Sequence, residues 1–349
     1  MSTKVYLPKN EFKPLSVFSK NDIIAHTSWS LNFCRPLCCI EELKIKYNIT
    51  GKGIKVAVLD TGVNTKHENL DVVGSRNFTV LSSLSTSTKV DVDKDDKTAT
   101  KSSTLSFDES NDKVEDLVGH GSHCAGIICG KGRNNVNVGI AQDALLYVAK
   151  VLDDEGEGYI EWITQGILWA IEEKVDIINM SLGSNGKICR SFAAVIEKAI
   201  KAGIIICVAA GNSGPYPSTV ECPGNFNLCL TVGAIKNNNS IASFSSRGDA
   251  VDIVAPGVNI LSCYTGAPNM YAYLSGTSMA TPFVSGVCAL ILEYARREKP
   301  SLKINQIMME KLLKESALDL GPAGFDIHYG SGRIHLEAVL KKIDEMVTI

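Results

Sequence analysis

The chain has 349 residues, a formal net charge of −3, 45% apolar residues and 21% charged residues. These values fit a soluble globular protein whose core needs neither disulfides nor a metal, and they exclude a general attraction to nucleic acid or to an anionic membrane. Eleven cysteines, an odd number, in a chain that opens MSTKVYLPKNEFKPL without an apolar leader, predict reduced thiols and a cytoplasmic protein.

Residues 1–38 read as an irregular N-terminal extension interrupted by Pro8, Pro14 and Pro36. Within it Cys34, Cys38 and Cys39 lack a second pair at zinc spacing and predict no metal. Residues 39–349 read as one domain, entered through a short helix over Ile40–Tyr47. Strands are expected at 54–59, 145–151, 176–180, 204–209 and 228–232. Each is a short, mostly apolar run of the kind parallel sheets bury on both faces. Helical periodicity lies between them at 160–173 and 192–202. Such alternation predicts an α/β fold with parallel strands and right-handed crossovers. Residues 82–116, rich in Ser, Thr, Asp and Lys, interrupt the pattern and are expected to form a mobile surface insertion. A buried helix follows Pro282 through Leu292. A last helix, Leu336–Met346, is expected to dock on the sheet. No repeat of 20–50 residues is visible, and no continuous run of about 18 apolar residues predicts a membrane span.

Four stretches carry chemistry. Asp60-Thr61-Gly62 places a carboxylate at the end of a buried strand, where open α/β sheets put ligand-handling groups. Alone it is equally a cap, or half of an aspartic peptidase site, though the second Asp-Thr-Gly such a site needs is missing. Gly119-His120-Gly121-Ser122-His123 opens a helix of small residues. His120 can face a cleft, and the pair His120 and His123 is the alternative metal reading, without a carboxylate in the same turn. Ala209-Ala210-Gly211-Asn212 ends a buried strand with an amide that can donate to an oxyanion, or serve as a turn. Gly276-Thr277-Ser278 begins a helix, where partial positive charge favours a nucleophile. An N-cap role is the plain alternative. Gly51-Lys52-Gly53 precedes its strand, so it is not a phosphate loop.

Together the blocks VAVLDTG, GHGSHCAG, INMSLG, AAGNSG and SGTSMATP resemble the subtilisin-like serine peptidases, from about residue 38 to 345, and within them the intracellular subtilisins. The resemblance implies a three-layer fold, a central, mostly parallel sheet flanked by helices. It implies Asp60, His120 and Ser278 as catalytic triad, Asn212 in the oxyanion hole, and no cofactor for the chemistry. Gly156, Glu157, Gly158 and Ile160 would flank an extended polypeptide substrate on one side, Ser181, Leu182 and Gly183 on the other. Ile160 and Leu182 would line an apolar pocket. Glu221 falls at the base of the primary specificity pocket, where it would favour Lys or Arg; a solvated loop Glu is the alternative reading. Val5-Tyr6-Leu7-Pro8 matches the place of an inhibitory N-terminal segment. The family's strong calcium site draws on positions held here by Asn69 and Arg133, which weakens a calcium ion there, with carbonyls of Asn134–Asn137 as remaining candidates. Phe283 stands where the family has a helix-borne His. The partners implied are polypeptides, not nucleic acid or membrane, with a homodimer left open. A catalytically silent scaffold and a narrow precursor-maturation protease are the rival functions.

Overall fold

The computed structural model of the protein describes residues 4–7, 17–19, 40–79, 113–133, 136, 138–184 and 190–346. In chain order the strands are β1 (Lys4–Tyr6), β2 (Val17–Ser19), β3 (Lys55–Asp60), β4 (Val72–Asn77), β5 (Leu145–Lys150), β6 (Glu157–Tyr159), β7 (Ile177–Met180), β8 (Ile205–Ala209), β9 (Leu230–Ile235), β10 (Ile253–Pro256), β11 (Ile260–Cys263) and β12 (Met270–Leu274). The helices are α1 (Ile40–Tyr47), α2 (His120–Cys129), α3 (Ile160–Glu172), α4 (Arg190–Lys201), α5 (Thr277–Glu298), α6 (Gln306–Ser316) and α7 (Leu336–Glu345).

Seven strands form the central sheet in the order β10-β9-β8-β7-β3-β5-β4, with every pair parallel. Alternate residues of one strand feed different cores. Val56 and Val58 enter one cluster, Ala57 and Leu59 the other. Ile205 and Cys207 part from Ile206 and Val208 in the same way. That division is why these strands read as continuous apolar runs. The buried helix α5 covers one face, against β7, β8, β9 and β10, and α3 and α4 pack together on the other. This is the three-layer arrangement expected. By length and composition α5 could cross a membrane, but 94% of its most apolar window is buried inside the protein. From β3 the chain goes out to the edge strand β4, steps back to β5 and then crosses past β3 to β7. The carboxyl end of β3 therefore lies at a reversal of strand order, where α/β sheets open a crevice.

Several expectations shift. The strand expected at 228–232 begins two residues later, at Leu230. Helix α7 docks chiefly on α5 and α6, with a smaller contact to α1. The hairpin β11–β12, strands β4 and β10, and helix α6 were not foreseen. The expected insertion is also too long. Residues 113–116 are packed: Val63 N–H donates to Val114 O (2.8 Å), and Asp116 is fully buried. Its remainder, 82–112, lies outside the described residues, as do Pro8, Pro14, Pro36, Cys34, Cys38, Cys39, Asn134, Asn135 and Asn137.

Candidate active site

Strand β3 ends in Asp60, which has no exposed surface. Its Oδ1 accepts the Thr61 N–H (2.7 Å) and pairs with His120 Nδ1 at 2.8 Å. His120 is the first residue of α2, entered through Gly119 at φ 94°, a left-handed turn that suits glycine. A Cβ at Gly119 would also strike the Tyr264 ring, and one at Gly121 would lie 2.1 Å from Gly62 O. Bare glycine is thus what lets the Asp60 and His120 segments touch. Burial opposes a charge on His120, but the Asp60 carboxylate and Cys124 outweigh it, so the imidazole is held well above its ordinary value.

Ser278 is the second residue of α5, buried, at a positive helix end. Its hydroxyl donates to Ser181 O (3.2 Å). Cys124, one turn after His120, links the two segments: its sulfur is 3.9 Å from His120 Nδ1 and donates to Ser278 O at 3.5 Å. Asp60, His120 and Cys124 present ligand atoms within 4.8 Å of one another. Within this cluster the carboxylate and the imidazole make a direct 2.8 Å hydrogen bond, a geometry that can hold and pass a proton. Asn212 Oδ1 accepts from the N–H (3.1 Å) and hydroxyl (3.0 Å) of Thr277. Those two donors fix the amide's orientation and leave Nδ2 buried without a partner. An unpaired buried donor costs stability, about 1–3 kcal/mol, so its presence calls for an explanation.

The two segments expected to flank a substrate do flank a strand, and the strand is the chain's own. Strand β1 pairs antiparallel with β6, with Val5 opposite Gly158 and Tyr6 opposite Glu157. Leu7 N–H donates to Gly156 O (3.1 Å). On the other side Tyr6 and Gly183 exchange both backbone bonds, 3.1 and 3.2 Å. Val5 and Leu7 are buried in the same cluster as Ile160 and Leu182, while Lys4 pairs with Glu157.

Glu221 is not a solvated loop residue. It is 5% exposed, against Gly183 and Gly211, where a Cβ would come within 2.6 Å of its carboxyl group. Oε1 accepts the Ser213 hydroxyl (2.7 Å) and Oε2 has no hydrogen-bond partner. Burial raises its carboxyl above the usual range, partly offset by Ser213 and by the Asn212 N–H.

His123 is a core residue: Nε2 faces the carbonyls of Ile260 and Ala272, each at 3.0 Å, and burial pushes it down to about 3. Among the described residues, Asn69 and Arg133 at the expected calcium position are engaged with the protein itself. Asn69 Nδ2 donates to Val136 O (2.6 Å) and Tyr271 OH (3.0 Å), and Oδ1 accepts the Arg133 N–H (2.7 Å). The Arg133 guanidinium binds Glu68 O and both oxygens of Asp71. Both atoms of the amide are engaged internally and the Arg133 cation sits beside it. Sequence reading missed Asp116, whose carboxylate ties the Asp60 and His120 segments together; the signal was an acidic residue just ahead of a helix start.

Comparison with known proteins gives one answer. The profile described as Subtilase family matches residues 51–332. Subtilisin E of Bacillus subtilis is 35% identical over 292 residues, 83% of this chain and 66% of that protein. An intracellular serine protease of Paenibacillus polymyxa is 41% identical over 251 residues, 70% of this chain and 68% of that protein. A subtilisin of Bacillus pumilus is 35% identical over 292 residues, and 91% of its length is covered. The chain thus spans about two thirds of some curated relatives and nearly all of others.

Proposed function

The chain belongs to the subtilase family of serine peptidases, and we propose that it is an endopeptidase working through Asp60, His120 and Ser278. Ser278 Oγ attacks the scissile carbonyl while its proton passes to His120 Nε2. Asp60 keeps Nδ1–H oriented and stabilises the imidazolium. The oxyanion accepts from Asn212 Nδ2–H and the Ser278 N–H. His120 then returns the proton to the leaving amine as the C–N bond breaks, and water repeats the cycle to free the acid. The observation that carries this reading is the buried 2.8 Å Asp60–His120 bond beside the helix bearing Ser278. A fluorophosphonate probe should label the wild type and fail to label Ser278→Ala, with peptide cleavage lost in parallel. Absence of labelling in the activated wild type would favour the silent-scaffold reading.

Two refinements rest on the cleft. The pairing of Lys4–Leu7 with both flanking segments supports an extension that lies in the substrate's place. Strand β2, paired antiparallel with β12, gives the same extension a second hold. Deleting residues 1–20 should raise the activity of freshly made enzyme; an unchanged rate would refute this. The buried Glu221 supports a preference for Lys or Arg before the cut. The relative named an intracellular serine protease supports a cytoplasmic location, and polypeptides are the substrates. Casein digested alongside short basic peptides separates general degradation from narrow maturation. The chemistry needs no cofactor, and Asn69 and Arg133 hold no calcium in this reading.

A further inference from the structure

We propose that Asp116 is a positioning residue that sets the distance between the Asp60 carboxylate and the His120 imidazole. Resting on the triad reading above, the inference comes from a closed ring of hydrogen bonds between the two segments. Asp116 is fully buried. Its Oδ1 accepts from the Thr61 hydroxyl (2.9 Å), the Val118 N–H (3.1 Å) and the Gly119 N–H (2.7 Å). Its Oδ2 accepts from the N–H (2.8 Å) and hydroxyl (2.7 Å) of Ser122. Thr61 follows Asp60, while Gly119 and Ser122 bracket His120.

The ring closes twice more. Gly121 N–H donates to Thr61 Oγ1 (2.9 Å), and Asn64 N–H donates to Ser122 Oγ (2.8 Å). Each hydroxyl therefore donates to Asp116 and accepts a backbone N–H from the other segment, Thr61 from α2 and Ser122 from the segment after β3. The cap residue Gly119 has no side chain, so Asp116 supplies the anionic cap that the start of α2 would otherwise lack. One carboxylate thus holds two triad-bearing elements without touching substrate or the triad itself. Misplacing reacting groups by about 1 Å can cost about 10²-fold in rate.

The test measures kcat, KM and the pH profile per fluorophosphonate-labelled site, in the chain freed of residues 1–20. Asp116→Asn removes the charge and turns an NH2 toward the Ser122 N–H. It should lower kcat about 10- to 100-fold with KM nearly unchanged, because the cleft strands are not disturbed. The acid limb of kcat/KM should also move down toward the ordinary histidine value of about 6.5, as the Asp60 contact loosens. The other groups facing the imidazole, Cys124 and His123 from α2 and Tyr264 after β11, stay in place. If Asp116→Asn does not fold, Thr61→Val decides, with a smaller loss of the same kind, and Thr61→Ser should recover most of it. Variants that keep wild-type kcat per labelled site and an unmoved acid limb would overturn the proposal. A wild type that cannot be labelled would instead overturn the triad reading.

Discussion

Two asparagines with buried amide atoms, Asn69 and Asn212, are finished differently. Around Asn69 every polar atom of the amide is used: Nδ2 twice, Oδ1 once, with Arg133 held by Asp71. Around Asn212 the same side chain is held by its oxygen alone and its nitrogen is left over. Glu221, next to it, also keeps one oxygen without a partner. Asn69 has both amide atoms engaged within the protein, its nitrogen fully and its oxygen by one of two lone pairs, which fits a structural role. Asn212 and Glu221 each keep one buried polar atom without a hydrogen-bond partner, which the proposed function assigns to groups that arrive with a substrate.

The largest effect should follow from removing the reserved donor. Asn212→Ala should lower kcat about 10²–10³-fold with little change in KM, the range general to oxyanion donors, subtilisins included. Asn212→Asp sharpens the comparison. It keeps the acceptor for Thr277 and replaces only the donor with an oxygen, so it should be at least as inactive while folding normally. A kcat within tenfold of wild type in both variants would show that Nδ2 is idle.

Next in size is the reserved acceptor. Glu221→Gln should cost Lys and Arg substrates roughly 10- to 100-fold in kcat/KM, the span of a charge-assisted hydrogen bond of about 1.5–3 kcal/mol. Phe and Leu substrates should change little. In the wild type the preference should itself depend on pH. Burial raises the Glu221 carboxyl, so it becomes neutral at a higher pH than an exposed Glu. The Lys/Phe ratio should therefore fall as pH drops through a midpoint above 4.5, the ordinary Glu value, and stay flat in Glu221→Gln. Because His120 also gains its proton on acidification, total activity falls too, and only the ratio isolates Glu221. Equal ratios at all pH values would remove it from the specificity pocket.

Much of this contrast was legible in the residues. Buried strands announce themselves by continuous apolar runs, and β3, β5, β7 and β8 begin within a residue of where those runs predict. Strand β9 slipped because the apolar run starts at Leu228 while pairing with β8 starts at Leu230. Helix α6 has a plain signal, Asn305 capping Met308 N–H ahead of buried Met309, Leu312 and Leu313, which was passed over. Asp116 was not legible in the same way. Composition gives an aspartate at the end of a polar stretch the same weight whether it faces water or caps a buried helix. Only the fold, by bringing Thr61 and Ser122 to the same carboxylate, tells the two apart. The direction of the Asn212 amide was equally hidden, since it depends on Thr277, sixty-five residues away.

The smallest effect tests the finished site. If the amide of Asn69 and the guanidinium of Arg133 replace a metal, chelation has nothing to remove, and the melting temperature should be the same in calcium and in a chelator. Arg133→Ala should cost little. Its ion pair with Asp71 is about half exposed on both sides, and such pairs contribute about 0–1 kcal/mol, a shift of a few degrees at most for a chain of this size. Kinetics should not move, because Arg133 reaches Glu68 and Asp71 and neither lies in the cleft. A chelator that lowers the melting temperature well beyond that shift would mean a metal holds the loop after all. The comparison would then fail on its structural side, while the Asn212 and Glu221 experiments would still stand.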